Sequence, residues 1–92
     1  MIKGIAFLGS GLATQLHSKA LKAIRPNTHC WYASRDPDLA ARTAERFHAT
    51  GCFSGYDDAV NSPEVDVVLI ALPPALHLEW TLKALETGKH VI

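Results

Sequence analysis

The stretch Ile5-Ala6-Phe7-Leu8-Gly9-Ser10-Gly11-Leu12-Ala13-Thr14-Gln15-Leu16-His17 decides how the rest of the chain is read. An apolar run breaks at two glycines and resumes with helical spacing, so it reads as a strand, a tight turn and a helix whose first turn faces the break. A helix start leaves backbone N–H groups without partners and carries the positive end of the helix dipole. Glycines let an anion approach that backbone with no Cβ in the way. The junction therefore suits a phosphate, and two glycines spaced in this way between a strand and a helix of a βαβ unit are the context of a dinucleotide-binding turn. Glycines also end many strands for structural reasons alone, so the other segments must supply the rest of the case. Thr14 stands where that turn's third position normally takes a small residue, which suggests a slightly wider approach of helix to strand.

Working outward, the first strand extends back to residue 2, and Ala13, Leu16, Ala20, Leu21 and Ile24 form the expected inward stripe of the helix that follows. Gln15, Lys19, Lys22 and Arg25 take its other face, and Pro26 ends it. Thr28 to Ala33 is rich in β-formers and reads as a second strand, in which Trp31 and Tyr32 are strand residues with one ring buried. Asp36-Pro37-Asp38 opens a helix with a capping acceptor, a proline at its first position and an acid in its first turn. Its inward residues are Leu39, Ala40, Thr43, Ala44 and Phe47. Gly51-Cys52-Phe53 is a brief third strand, and Asp57 or Asp58 caps a short helix through Asn61. Val65 to Leu72 is a buried strand ended by Pro73-Pro74. A helix with Leu78, Leu82 and Leu85 at one-turn spacing runs to Gly88, and Lys89 to Ile92 opens a fifth strand.

Strands alternating with helices in this way imply an α/β fold, a Rossmann-type doubly wound parallel sheet in three αβα layers with right-handed crossovers. The expected strand order is 3-2-1-4-5, with the reversal beside the first strand. Ligands of such sheets bind outside the carboxyl ends of the strands at the reversal. Gly9 to Thr14, Ser34-Arg35 and Leu72 to His77 therefore converge on one crevice.

Length and composition narrow the remaining classes. Ninety-two residues allow one small domain. A net charge of zero leaves no electrostatic footprint for nucleic acid or for an anionic membrane, and no apolar run approaches the ~20 residues of a membrane span. With no signal-peptide pattern at the start, a cytoplasmic location is expected. Cys30 and Cys52 form no close pair and read as buried reduced thiols. The five histidines show no zinc-binding spacing, so no metal is expected.

The end of the second strand bears on the adenosine half of the cofactor. An acid there would hold the ribose 2′-OH of NAD and repel the 2′-phosphate of NADP. Ser34 can instead donate to that phosphate, and the Arg35 guanidinium can pair with it or stack on the adenine, which favours NADP. The competing reading makes Ser34 a turn residue and Arg35 a solvated charge, with Asp36 holding a ribose; Asp36 is better explained as a helix cap. His77 can donate to a phosphate or a ribose hydroxyl, or it can be a surface residue, and Trp80 reads as packing.

Taken together, Gly9-Ser10-Gly11 with His17, Ser34-Arg35-Asp36-Pro37, Val65-Asp66-Val67-Val68 leading to Leu72-Pro73-Pro74-Ala75-Leu76-His77, and Ala84-Leu85-Glu86-Thr87-Gly88-Lys89-His90-Val91 resemble the amino-terminal half of the Gfo/Idh/MocA family of oxidoreductases. The resemblance spans essentially the whole chain. It implies an NAD(P)-dependent dehydrogenase or reductase of sugars, polyols or related small molecules, in which this Rossmann domain is followed by a larger substrate domain. It implies that Gly9, Ser10, Gly11, Leu12 and Ala13 lie at the pyrophosphate turn, Ser34 and Arg35 at the adenosine ribose, and Leu72, Pro73 and His77 beside the cofactor. The family's Glu-Lys-Pro segment and its further acid/base would fall after Ile92, so the resemblance implies a truncated domain without catalytic residues of its own. A small-molecule substrate is expected only in the intact enzyme. A sheet cut at its fifth strand has an edge that invites association, which leaves a homo-oligomer open. The alternative function is a non-catalytic dinucleotide-binding or interaction module.

Overall fold

The structure, a computed structural model, describes residues 4–9, 11–24 and 27–92, with the backbone alone described at 12, 13 and 22–24. Five strands and four helices alternate along the chain: β1 (Gly4–Leu8), α1 (Leu12–Ile24), β2 (His29–Ala33), α2 (Pro37–Arg46), β3 (Gly51–Phe53), α3 (Tyr56–Asn61), β4 (Val67–Ile70), α4 (Pro74–Glu86) and β5 (His90–Val91). The sheet is parallel throughout, in the order β3-β2-β1-β4-β5. The expected doubly wound topology is therefore the observed one. The proposed start of β1 at residue 2 lies outside the described residues.

Every residue of β1 is buried because both faces of the strand are covered. Ile5 and Phe7 point to one side, where Cys30, Tyr32, Ala44, Phe47 and Val67 complete a core under α2. Ala6 and Leu8 point to the other, with Val60, Val68, Ile70, Trp80 and Ala84 under α3 and α4. Phe7 stacks on Tyr32 at 5.1 Å between ring centroids, and Trp80 meets Tyr56 edge-on at 5.1 Å. Tyr32 and Trp80 are packing residues, as their positions in the sequence suggest.

The helices hold two surprises. On α1 the buried positions are Thr14 and Ser18, with Leu21 partly covered, while Leu16 is 58% exposed and Ala20 also faces out. The apolar stripe expected through Leu16 and Ala20 is thus rotated away from the sheet. The side chains of Ala13 and Ile24, its remaining members, lie outside the description. Hydroxyls can occupy the inward face because each finds a partner. On α4 the inward residues are Trp80 and Ala84, whereas Leu78, Leu82 and Leu85 are each at least 50% exposed. The Trp80 indole fills the space under the helix, as the packing role read for it requires.

Smaller corrections have local causes. Leu39 is at the exposed border of α2, whose Ala40, Thr43, Ala44 and Phe47 are buried as expected. Gly55, not an aspartate, precedes α3 as its N-cap; Asp57 and Asp58 sit in the first turn, and Asp58 accepts a hydrogen bond from Ser54. Cys30 is buried, but Cys52 is exposed on the edge strand β3, and neither is in a disulfide among the described residues. Among the described residues no helix is long and apolar enough to cross a membrane, and no group of three or more His, Cys, Asp or Glu side chains could hold a metal ion.

Tyr32 and Ser18 tie α1 to β2: the phenol donates to Ser18 Oγ at 2.6 Å, both groups being buried. Burial pushes the Tyr32 phenol above the ordinary tyrosine value; the bond to Ser18 works against this and the neighbouring Cys30 thiol adds to it. The folded state therefore keeps this proton to higher pH than the unfolded chain does. Its contribution to stability is complete below about pH 10 and declines as the pH rises beyond that. Tyr32→Phe should cost about 1 kcal/mol at neutral pH by leaving Ser18 without its donor. Denaturant unfolding of both proteins should show that difference shrinking above about pH 10; a difference independent of pH contradicts the assignment.

Candidate functional site

Hydrogen bonds that continue past the strand ends bring the carboxyl termini of β2, β1 and β4 level with one another. Gly9 N–H donates to the Ala33 carbonyl at 2.9 Å, and Ala71 N–H donates to the Leu8 carbonyl at 2.9 Å. The three segments expected to converge, beginning at Gly9, Ser34 and Leu72, thus leave the sheet side by side at the reversal between β2 and β4. Ser10 lies outside the described residues, and of Leu12 and Ala13 only the helical backbone is described.

The two glycines stand in different surroundings. Gly9 has φ +108°, and a Cβ there would stand 2.5 Å from the Ala71 carbonyl oxygen, so the fold itself demands glycine. A Cβ on Gly11 would meet nothing within 4 Å. Among the described residues nothing stands in the space over Gly11.

The electrostatics agree. Gln15 N–H donates to the Gly11 carbonyl, which makes Gly11 the residue that caps α1 without a side-chain acceptor. Neither α1 nor α4 has an acidic residue in its first turn. By contrast, α2 carries Asp38 with Asp36 as its cap, and α3 carries Asp57 and Asp58. The positive ends of α1 and α4, which follow β1 and β4, therefore have no carboxylate of their own in the first turn.

At the end of β2, Ser34 is buried and its Oγ accepts the Asp36 N–H at 3.2 Å, which leaves the hydroxyl proton to donate elsewhere. Arg35 is exposed. Asp36 Oδ1 accepts from the N–H groups of Asp38 at 3.0 Å and Leu39 at 3.4 Å, so this carboxylate is the helix cap it was expected to be.

At the end of β4, Leu72 is buried with its side chain under Gly9, and Pro73 is the N-cap of α4. His77 Nε2 lies 2.7 Å from the Leu72 carbonyl. A carbonyl only accepts, so Nε2 carries the proton and, in the neutral ring, Nδ1 is an acceptor. That suits a ribose hydroxyl; donating to a phosphate would require the ring's second proton.

Thr14, read from the sequence only as the third position of the turn, has a hydrogen-bonding role that the apolar spacing did not report. It is completely buried and its Oγ1 donates to the Gly9 carbonyl at 2.8 Å. The available signal was the spacing Thr14, Ser18, Leu21, a helical repeat of small and apolar residues that the more hydrophobic Leu16 obscured.

A glycine turn, an open helix start and a donor-bearing second strand at a sheet reversal define a dinucleotide-binding domain. Residues 3–92 match the family model described as "Oxidoreductase family, NAD-binding Rossmann fold". Levoglucosan dehydrogenase from Pseudarthrobacter phenanthrenivorans is 32% identical over 98 residues, which cover 96% of this chain and 25% of that protein. A dTDP-3,4-didehydro-2,6-dideoxy-alpha-D-glucose 3-reductase from Saccharopolyspora spinosa is 47% identical over 60 residues, 65% of this chain and 18% of the reductase. Levoglucosan dehydrogenase in complex with NADH and L-sorbose superposes with a TM-score of 0.89 at 30% identity, over 97% of this chain and 26% of that one. The chain belongs to the Gfo/Idh/MocA family of oxidoreductases and carries its NAD-binding Rossmann fold. It spans a quarter or less of the length of the two curated relatives.

The contrast between the glycines is directly testable. Gly9→Ala should lower stability by about 3 kcal/mol or more, from left-handed strain and a Cβ driven onto a carbonyl. Gly11→Ala should stay within about 0.5 kcal/mol of the parent yet bind dinucleotide at least about tenfold more weakly. Thermal melts and nicotinamide fluorescence titrations measure the two effects; a Gly11→Ala protein that binds like the parent contradicts the placement.

Proposed function

We propose that the chain is the cofactor-binding domain of an oxidoreductase that acts on a sugar, a polyol or a related small alcohol or carbonyl compound, with NADP as the preferred cofactor. The observation that carries the cofactor reading is the open approach to Gly11 at a helix start free of acidic residues, level with Ser34 and Arg35. The backbone N–H groups of the first turn of α1, with the open space over Gly11, hold the pyrophosphate, and Gly9 forms the turn that leads to them. Ser10, Leu12 and Ala13 belong to the same turn. Ser34 donates its hydroxyl proton and Arg35 its guanidinium to the 2′-phosphate, while Asp36 Oδ1 is engaged as the cap of α2 rather than by a ribose hydroxyl. Pro73 and Leu72 shape the wall beneath the nicotinamide ribose, and His77 orients a ribose hydroxyl through Nδ1.

The sugar and polyol class rests on what the relatives act on: levoglucosan for one and a deoxysugar nucleotide for another, as their names state. The bound nicotinamide supplies or accepts the hydride. This domain's residues grip the cofactor, and the acid/base that handles the proton belongs to the remainder of an intact enzyme.

Fluorescence titration should give a lower Kd for NADPH than for NADH. Arg35→Ala should weaken NADPH about tenfold or more, by removal of a charge-assisted contact, and leave NADH nearly unchanged. Equal affinities for the two cofactors in the parent protein overturn the NADP assignment, and absence of binding to either overturns the cofactor reading.

A further inference from the structure

We propose that Thr14 is a positioning residue for the cofactor turn, a hydroxyl clamp that takes over the task of a small third residue and adds directional control. Both backbone groups of Gly9 are engaged: its N–H by the Ala33 carbonyl and its C=O by Thr14 Oγ1. The first bond fixes the turn to β2, and the second fixes it to the first turn of α1. Gly9 has φ +108° and lies against the Ala71 carbonyl, so its peptide has little room to settle elsewhere once both bonds are made. The clamp therefore sets the angle at which the open N–H groups after Gly11 face an incoming phosphate.

Ser18, one turn further along the same buried face, supplies the comparison. Its bond to Tyr32 also anchors α1, but it lies on the body of β2 rather than at the turn. If hydroxyls on this face merely glued helix to sheet, the two anchors would be equivalent. The geometry assigns them different work: Ser18 secures the helix, and Thr14 orients the site.

The clamp's effect on binding rests on the dinucleotide reading given above, so the test has one readout with cofactor and one without. Thr14→Val keeps the volume and removes the donor, Thr14→Ser restores it, and Ser18→Ala is the structural control. Thr14→Val should raise the Kd for NADPH about tenfold. Thr14→Ser should bind within about twofold of the parent, and Ser18→Ala should lower the melting temperature without moving the Kd. Without cofactor, amide exchange at Gln15, whose N–H bonds to Gly11, should quicken in Thr14→Val and not in Ser18→Ala. If Thr14→Val and Ser18→Ala weaken binding equally, or serine fails to rescue, the clamp is only structural and the proposal falls. If no dinucleotide binds the parent but the exchange contrast holds, the functional reading falls and the clamp stands. An unchanged exchange rate in Thr14→Val overturns the clamp in either case.

Discussion

The pairing of β1 with both β2 and β4 is the constraint on which the rest of the molecule depends. The chain leaves β1 toward one side of the sheet, builds β2 and β3, and returns to the other side of β1 through α3 and β4. Right-handed crossovers then put α1 and α2 on one face and α3 and α4 on the other, which buries β1 on both sides. The same reversal sends the connection after β1 to one face and that after β4 to the other, the arrangement in which open α/β sheets bind ligands. The candidate site is a consequence of the topology before any side chain is considered.

Side-chain chemistry then decides what the crevice receives. The acids are distributed unevenly: α2 and α3 carry carboxylates in their first turns, while α1 and α4 carry none and point their positive ends at the same edge. The inward face of α1 is polar for a related reason. Thr14 and Ser18 are buried with their hydroxyls satisfied by Gly9 and Tyr32, so burying them incurs little penalty. Packing of the helix and presentation of its N-terminus are thus one design.

Much of this was legible in the residues. Alternating strands and helices specify the strand order because handedness and short connections leave few other topologies. The cap at Asp36-Pro37 and the turn at Gly9 are legible because each is a local requirement of the backbone. The faces of α1 and α4 were not. Hydrophobicity alone favours Leu16 over Ser18 and Leu78 over Trp80, but a hydroxyl with a partner and a ring that fills the space under α4 win in the folded protein. The roles of Thr14 and of the His77 Nε2 proton depend on carbonyls five residues away, which no composition or period reports. For the site residues, the structure places Gly9, Gly11, Ser34 and Leu72 to His77 along one edge of the sheet.

Backbone amide shifts during titration of the isotopically labelled chain with NADPH test the central claim most directly, because they report the position of the ligand independently of its affinity. The account predicts the largest shifts at Gly9, Gly11, Ala13, Ser34, Arg35 and His77, along the carboxyl edge of the sheet. Gly4, His29, Asp66 and His90, at the opposite edge, should remain still. Shifts concentrated at that opposite edge, or none at saturating cofactor, would contradict it.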